Sequence, residues 1–198
     1  SRTTLGRLTP KILYIKTDND SEFISYVYPQ RLTMPYEYPT RCSFMLDLLA
    51  EDFRLYSNTL KQALATKSTG GWISVPFSVP FSFVGGVDGS VAISHLGNVD
   101  SYPIVRFNGP LVNPRIKNDS TGLFFQANLS IDTGQYLEVD MLKKTALLNG
   151  SLNKLSTMTS NSQWVYIKPG ENVFNLTSGN DTDTGNAVVA YRDAYMSL

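Results

Sequence analysis

Two acidic residues that lie two positions apart are the first candidates for catalysis in this sequence. Glu138 and Asp140 flank Val139 in a stretch with the alternation of a strand. Residues i and i+2 of a strand project from the same face, about 6 to 7 Å apart. Two carboxylates at such a separation suit the acid and base, or acid and nucleophile, of glycoside hydrolysis. One hypothesis is therefore a sugar-cleaving pair, and the other is two solvated acids on the polar face of a strand.

The identity of a third residue weighs against the enzymatic hypothesis. The segment resembles the Glu-x-Asp-x-x-Glu signature of jelly-roll endoglucanases, whose last acid protonates the leaving group. Lys143 stands at that position. Glycoside hydrolysis needs a second carboxylic acid within about 5 to 9 Å of Glu138, and the sequence offers no obvious one. We therefore predict that Glu138 and Asp140 are not catalytic and that the protein is not an enzyme.

A second candidate is sugar binding around an Asn-Pro-Arg segment. Residues 112–115 resemble the core of the His-x-Asn-Pro-Arg motif of galectins, but Leu111 stands at the histidine position and the residues after Trp164 lack the partner motif. Without these groups a sugar loses its stacking platform and several hydrogen bonds. The alternative is an Asn-Pro turn within a hairpin. A carbohydrate-binding or receptor-binding module would require Trp72, Trp164 and Arg115 to cluster on one exposed face.

Two weaker signals have simple structural explanations. Ser94 and His95 are conceivable members of a catalytic triad, but the alternation in residues 91–96 predicts both as outward polar positions of a strand. No Gly-x-Ser-x-Gly elbow is present. Glycines 85, 86 and 89 lack a following Lys-Ser/Thr and precede a strand, which predicts a turn rather than a phosphate-binding loop. We therefore assign no catalytic, cofactor-binding or metal-binding residue.

Composition and charge exclude several classes of function. The 198 residues include 17 Lys and Arg and 17 Asp and Glu, so the formal net charge is 0. Nucleic-acid binding and polybasic membrane contacts both need surplus positive charge. One cysteine, Cys42, and one histidine, His95, exclude an intrachain disulfide and leave zinc and iron–sulfur sites short of ligands. We expect no nucleic-acid, membrane, metal or cofactor binding.

Targeting signals are not apparent in the sequence. No apolar run approaches the roughly 20 residues of a membrane-spanning helix, and no signal peptide is recognisable. The chain begins at Ser1 rather than at a methionine, which indicates a boundary of processing or cloning. Six Asn-x-Ser/Thr sequons are better explained by chance occurrence in turns than by glycosylation. They begin at Asn19, Asn118, Asn128, Asn149, Asn175 and Asn180.

The elements that carry these residues read almost entirely as strands. The chain is 42% hydrophobic and only 17% charged, and period-two runs alternate with turn signals at a spacing of roughly 8 to 12 residues. This pattern predicts an all-β, two-sheet antiparallel sandwich. Only residues 151–160 suggest a short helix or ordered loop. The predicted strands are 8–16, 22–28, 42–50, 72–83 (an edge), 90–96, 102–107, 111–116, 123–129, 136–139, 145–148, 164–167, 173–176 and 187–195.

A domain boundary is expected in the connector at residues 51–57. The apolar content before it is too small and too linear to close a core, since domains below about 40 residues normally need disulfides or metals. We therefore predict that residues 1–57 are part of a larger domain and that residues 58–198 form the sandwich. Two hypotheses stand open for the tyrosines of the first segment, an aromatic contact between subunits or ordinary core-edge positions. These residues are Tyr26, Tyr28, Tyr36 and Tyr38.

Four groups of residues resemble, in order and spacing, the siphovirus distal tail (Dit-like) minor tail protein family. Residues 41–57 resemble its R-x-x-F-x-L-x-L-x-A-x-D-P-R-x-Y-S segment, with Phe53 where proline is frequent. Residues 102–114 resemble its W/Y-P-x-h-x-h-x-G-P-h-x-x-P strand pair, in which h is apolar. Residues 134–150 resemble its G-x-x-L-x-h-D and h-L-N-G motifs, and residues 163–172 resemble W-x-x-L-x-P-G-x-N. The resemblance covers roughly residues 41–198.

The resemblance implies a fold and an assembly role. The C-terminal part of that family is a galectin-like β-sandwich, generally without the sugar-binding residues, and the N-terminal part is a belt domain that closes a hexameric ring. The ring joins the tail tube to the tail hub or baseplate. We therefore expect self-association, tail tube and hub partners, synthesis in the bacterial cytoplasm and a place in the virion tail tip. Glu138, Asp140 and the Asn113-Pro114 pair become structural residues on this interpretation.

Overall fold

The structure is a computed structural model that describes residues 2–4, 9–18, 21–33, 44–67 and 89–196. The chain divides into two compact units, one of residues 1–58 with 195–198 and the other of residues 59–194. Within the described residues every regular element is a strand apart from one 3-10 turn at Leu155–Thr157. The all-β prediction is confirmed. No helix among the described residues is long and apolar enough to cross a bilayer.

The first unit contains one antiparallel sheet built around a long strand. This central strand, β3, pairs along one side with β1 and β2 and along the other with β4 and β5. Among the described residues of the first unit, the buried apolar side chains are those of Ile24, Val27 and Tyr56. The bounds are β1 (Arg2–Thr4), β2 (Lys11–Lys16), β3 (Glu22–Thr33), β4 (Met45–Ala50) and β5 (Leu55–Ser57).

The predicted N-terminal hairpin is present, but one of its expected ends is wrong. Strands β2 and β3 pair in register from Lys11 opposite Val27 to Lys16 opposite Glu22. The sequence suggested that Tyr28-Pro29 ends the second strand, whereas β3 continues to Thr33 with a register shift between Pro29 and Arg31. Proline has no N–H to donate to a ladder, and a bulge accommodates it without ending the strand. Residues 8, 42–43 and 72–83 of the predicted strands lie outside the described residues.

The second unit is a sandwich of two main antiparallel sheets. The six-stranded sheet has the order β15-β14-β13-β8-β17-β6, the four-stranded sheet has the order β11-β10-β16-β7, and β12 pairs separately with β9. The strands are β6 (Lys61–Thr66), β7 (Ser90–His95), β8 (Ile104–Asn108), β9 (Leu111–Val112), β10 (Arg115–Asn118), β11 (Phe124–Gln126), β12 (Ser130–Ile131), β13 (Tyr136–Asp140), β14 (Thr145–Leu148), β15 (Leu152–Asn153), β16 (Gly170–Thr177) and β17 (Asn186–Tyr191). A last strand, β18 (Ala194–Tyr195), falls at the unit boundary.

Alternate residues of these strands form the core between the two sheets. Val105 and Phe107 of β8 are fully buried, as are Ile116 of β10 and Phe174 of β16. The Phe107 ring stacks on Phe125 of the opposite sheet with centroids 6.4 Å apart. Because side chains alternate across a strand, each strand buries one face and leaves the other outside. The expected two-sheet sandwich is confirmed.

Three of the predicted strands differ from the observed ones. Residues 111–116 form two short strands rather than one, because Asn113 adopts φ 49° in the left-handed region and turns the chain. Residues 164–167 form no strand, and only an isolated bridge joins Ser101 to Ile167. Residues 187–195 divide into β17 and β18. Strand β6 was not predicted, because KQALAT alternates weakly and has good helix formers.

We expect the Phe107–Phe125 contact to dominate the stability of the sandwich. Phe107→Ala should lower the free energy of unfolding by about 3–5 kcal/mol, since it removes a fully buried ring and leaves a cavity. Ile104→Ala on the outward side of the same strand is the matched control, with an expected cost of about 1 kcal/mol or less. Urea unfolding monitored by tryptophan fluorescence measures both. Equal losses in the two variants would contradict the assignment of the core.

Candidate functional site

The two acids of the predicted catalytic pair have separate structural partners. Both lie half-buried on the outward side of β13. The Oδ1 atom of Asp140 accepts hydrogen bonds from the backbone N–H groups of Leu142 (3.0 Å) and Lys143 (2.9 Å). The Lys143 Nζ atom lies 3.3 Å from Asp140 Oδ2. Asp140 therefore stabilises the turn between β13 and β14.

Glu138 lies in a shallow groove on the outer side of the six-stranded sheet. It stands opposite Arg106 of β8, whose guanidinium lies 3.5 Å from the centroid of the Tyr136 ring. Among the described residues that line the groove, Glu138 is the only acid. A glycosidase pair is therefore not assembled by these lining residues. They are Leu60, Gln62, Ile104, Arg106, Asn108, Glu138, Val188 and Ala190.

The Asn-Pro-Arg segment and Trp164 are engaged within the sandwich. Asn113 forms the bend between β9 and β10, which favours the turn hypothesis. The Arg115 guanidinium lies 4.0 Å from the centroid of the Phe124 ring. The Trp164 ring packs on buried Phe125 with centroids 5.9 Å apart. Trp72, the third residue of the hypothetical sugar site, lies outside the described residues.

His95 is the clearest correction to the sequence analysis. It was expected to point outward, but its exposure is 1%. Val91, Ile93 and His95 have the same parity along β7 and all face the core, so the strand period itself contained this signal. Ser94 points the other way and is exposed. The Nε2 atom of His95 lies 2.7 Å from the Val99 carbonyl oxygen, so no serine nucleophile adjoins the ring.

The buried partner of His95 is Asp193, which the sequence did not identify. Asp193 Oδ1 lies 3.0 Å from His95 Nδ1 and accepts a 3.0 Å hydrogen bond from the Leu96 N–H group. Its Oδ2 lies 2.6 Å from Lys61 Nζ. Burial acts to raise the pKa of Asp193, but the hydrogen bonds from Lys61, His95 and Leu96 outweigh it and hold the pKa below its usual range. Asp193 is therefore an ionised carboxylate that joins β6, β7 and the segment after β17.

A second buried polar contact involves two asparagines. The Asn118 amide donates to the Tyr166 carbonyl (2.8 Å) and to Asn172 Oδ1 (3.0 Å). The Asn172 amide in turn donates to the carbonyls of Lys168 (2.8 Å) and Gly170 (3.1 Å). Asn172 is the asparagine of the W-x-x-L-x-P-G-x-N motif, and its side chain holds the turn before β16. Asn118, one of the six sequons, is fully buried, which agrees with the chance explanation there.

A cluster in the first unit gives a physical reason for the motif at residues 52–57. Asp52 Oδ1 accepts from the Arg54 backbone N–H (3.1 Å) and from its guanidinium (2.9 Å). Asp52 Oδ2 accepts from the Tyr56 hydroxyl at 2.5 Å. Burial, followed by this hydrogen bond, raises the pKa of Tyr56, so the hydroxyl stays a donor. The Arg54 guanidinium also lies 4.7 Å from the centroid of the Phe53 ring.

Part of one face of the first sheet is apolar and exposed to solvent, whereas Ile24 and Tyr56, which share that face, are buried. Ile12 stands opposite Tyr26, and Leu49 stands opposite Tyr28, so these side chains and that of Tyr14 project from the same face. The exposed fractions are 65% for Tyr14, 50% for Leu49, 47% for Ile12 and 41% for Tyr26. We call these four residues the apolar face. Contiguous exposed apolar patches mark interaction sites.

Strand β4 extends this exposure to a sheet edge. All six residues of Met45–Ala50 are exposed. The strand carries apolar residues on both faces, so apolar side chains are exposed on both. Among the described strands β4 pairs with β3 alone, so its other edge has no strand partner in that part of the chain. Unpaired apolar edge strands are templates for pairing with another chain. The described residues contain no group of three or more His, Cys, Asp or Glu placed to hold a metal.

Comparisons with known proteins match the sandwich and the whole fold. Residues 96–195 match the family model SPP1_Dit, the C-terminal domain of a siphovirus-type tail component. This span contains three of the four groups of residues that carry the resemblance, and the 41–57 segment lies outside it. No curated protein matches the sequence.

A solved structure extends the similarity of fold over both units. The crystal structure of the SPP1 Dit (gp 19.1) protein is described as a paradigm of the hub adsorption apparatus in phages that infect Gram-positive bacteria. The match has a TM-score of 0.58 at 13% sequence identity and covers 96% of this chain. The chain spans 66% of the length of that protein. The expected galectin-like sandwich is confirmed by these two matches.

We expect Asp193 to contribute to stability in a pH-dependent manner. Its pKa in the folded chain is lowered, so its contribution is present above the unfolded value of about 3.9 and is lost as the pH falls through the lower folded value. Asp193→Asn should cost about 3–5 kcal/mol at neutral pH, because it breaks a buried charge cluster, and progressively less in acid. Urea unfolding across a pH series measures this difference.

The control for that series is Asp132→Asn, which changes an exposed aspartate in the turn after β12. It should alter the free energy of unfolding by about 0.5 kcal/mol or less at every pH. If Asp193→Asn lost the same free energy at neutral and acid pH, the ionised carboxylate would not be the source of the stability.

We expect the Tyr56 hydroxyl to stabilise the first unit. Tyr56→Phe should lower its stability by about 1–3 kcal/mol, because Asp52 loses a buried hydrogen-bond donor. Tyr14→Phe removes the hydroxyl of an exposed tyrosine and should have little effect. Hydrogen exchange of the β3 and β5 amides measures both variants. Unchanged exchange in Tyr56→Phe would contradict a structural role for this cluster.

Proposed function

Because this chain belongs to the Dit family of siphovirus-type tail components, we propose that it assembles with copies of itself into a ring of the phage tail tip. The ring, a hexamer in this proposal, joins the tail tube to the tail hub or baseplate. The protein is made in the bacterial cytoplasm and becomes part of the virion. It acts by docking its neighbours, without catalysis or a cofactor.

The observation that carries the proposal is the apolar face of the first sheet. Ile12, Tyr14, Tyr26 and Leu49 are between 41% and 65% exposed, and exposing them to water costs free energy that a subunit contact would recover. Tyr26 also meets the buried Tyr56 ring edge to face with centroids 6.2 Å apart. Of the two hypotheses for the tyrosines, this geometry supports a subunit contact at Tyr26, since its ring is anchored on one side and open on the other. Tyr36 and Tyr38 lie outside the described residues.

The domain roles in this proposal follow the predicted division of the chain. Residues 1–57 are the end of a belt domain that closes the ring, and residues 58–198 form the sandwich that the ring carries. The separate sheet of the first unit, with few buried apolar residues among those described, supports the first role. The well-packed core of the second unit supports the second, because a rigid sandwich can present its outer faces to tail neighbours.

The test is the absolute mass in solution, measured by light scattering after size exclusion at several concentrations. We expect the full-length gene product to form a hexamer, or a mass that climbs toward one with concentration. Leu49→Asp places a charge in the apolar face and should lower the mass or shift assembly to higher concentration. Leu152→Asp is the matched control, because this leucine is equally exposed at 54% but lies on the sandwich, and it should leave the mass unchanged.

A strictly monomeric full-length protein at all concentrations would overturn the ring. Equal loss of assembly in Leu49→Asp and Leu152→Asp would overturn the apolar face as the contact while leaving the ring itself intact. The circular dichroism spectrum of both variants shows whether either has lost its fold.

A further inference from the structure

His95 lies in a closed environment in which both ring nitrogens face oxygen atoms. Its exposure is 1%. Nε2 is 2.7 Å from the carbonyl oxygen of Val99, and Nδ1 is 3.0 Å from Oδ1 of Asp193. The Gly97 N–H group also donates toward Nδ1 over 3.4 Å, a longer contact than the one with the carboxylate. The protonation state of the ring therefore depends on whether the Val99 carbonyl oxygen and the Asp193 carboxylate oxygen accept or donate a hydrogen bond.

Neither neutral form of the ring satisfies both contacts. A carbonyl oxygen carries no proton, so Nε2 must donate to Val99. The Asp193 carboxylate already accepts from the Leu96 N–H group and lies 2.6 Å from the Lys61 ammonium, which is the environment of an ionised acceptor. A neutral ring with its proton on Nε2 would turn the Nδ1 lone pair toward that carboxylate, and the other tautomer would turn the Nε2 lone pair toward Val99.

We propose that His95 is a buried imidazolium that closes a pH-sensitive latch between the loop at residues 96–101 and the segment at residues 192–194. The latch is open when the ring is neutral. His95 and Asp193 are 98 residues apart in the sequence, and the charged ring joins the two segments through Val99 on one side and Asp193 on the other.

The contacts around His95 show what the latch holds. The N–H groups of Asn98 and Val99 both donate to the Ala194 carbonyl, at 3.0 and 3.3 Å. The Ser101 hydroxyl donates to the Arg192 carbonyl at 2.7 Å. A Cβ at Gly97 would lie only 2.0 Å from the Ala194 carbonyl oxygen, so the loop backbone is pressed against this segment. Loss of one ring proton would set two acceptors against each other beside these bonds and loosen them.

The charged and titratable groups near the ring come from β6, β16, β17, the segment after β17 and the loop itself. Asp193 stabilises the imidazolium directly, and Lys61 of β6 opposes it through the shared carboxylate. Tyr191 of β17 donates its hydroxyl to the Ser94 carbonyl at 3.2 Å, and Glu171 of β16 stands opposite Ser94. Asp100 lies within the loop itself.

Of these groups Tyr191 takes no part in the switch at moderate pH. Burial, with smaller contributions from Asp193 and Glu171, raises the pKa of Tyr191 to about 12. The Tyr191 hydroxyl therefore stays neutral over the pH range in which an ordinary imidazolium loses one of its two ring protons, which is centred at about 6.5. A change in the latch within this range reports on His95.

The experiment uses the fact that His95 is the one histidine of the sequence, so its ring signals need no assignment. The ring nitrogens of the full chain are followed by NMR over a pH series. We expect both ring nitrogens to be protonated while the latch is closed and one of them to be deprotonated once it opens. The exchange rate of every amide rises with pH because exchange is base-catalysed. At the pH where the ring loses one proton, the exchange rates of the Asn98 and Val99 amides should rise more than this common increase.

Two variants separate an electrostatic latch from simple packing. Asp193→Asn removes the negative charge, so the ring should lose its proton at lower pH than in the unchanged chain. Lys61→Met removes the competing cation, so the ring should keep its proton to higher pH, and this variant decides the question if Asp193→Asn does not fold. Tyr191→Phe retains every charge and should leave the titration unchanged.

Two results would overturn the proposal. One is a ring that is already neutral while the Asn98 and Val99 amides are still protected, because Nδ1 would then be the acceptor of the Gly97 N–H group. The other is a titration of His95 that leaves the exchange of the Asn98 and Val99 amides on the same course as that of the remaining sandwich.

Discussion

The burial of one face of every sandwich strand is the constraint on which the rest of this structure depends. Two sheets enclose a core in which Phe107, Phe125 and Phe174 are fully excluded from water, and the Phe107–Phe125 stack crosses from one sheet to the other. Because strand side chains alternate, this burial decides which residues face solvent. Glu138 is outward for that reason, with Leu137 and Val139 on either side of it in the core.

Polar side chains enter the sandwich only where they satisfy other buried groups. Asn172 bonds the backbone of the turn before β16, and Asn118 joins it from β10. Asp193 gathers Lys61 and His95 at another place. Buried polar groups are costly unless paired, and each of these side chains is hydrogen-bonded to the segments packed around it.

The first unit follows a different logic. Its sheet buries few apolar residues among those described, and its apolar face and strand β4 are open to water. Exposed apolar surface and an edge that no described strand pairs with are unfavourable in a separate domain, but they suit a component of a larger assembly. The Asp52–Arg54–Tyr56 cluster shows that the same unit is locally well ordered beside that surface. Its motif residues are thus structural, which agrees with an assembly role.

The sequence by itself determined the fold class, the strand period and the family resemblance, because alternation and motif spacing are local properties. It also placed Glu138 and Asp140 on a polar strand face. The strand period gives His95 the parity of the core residues Val91 and Ile93, but only the tertiary structure identified its partner Asp193, which lies 98 residues away. The exposure of the apolar face was likewise undecided by alternation, since a period of two says which residues share a face and not whether another layer covers it.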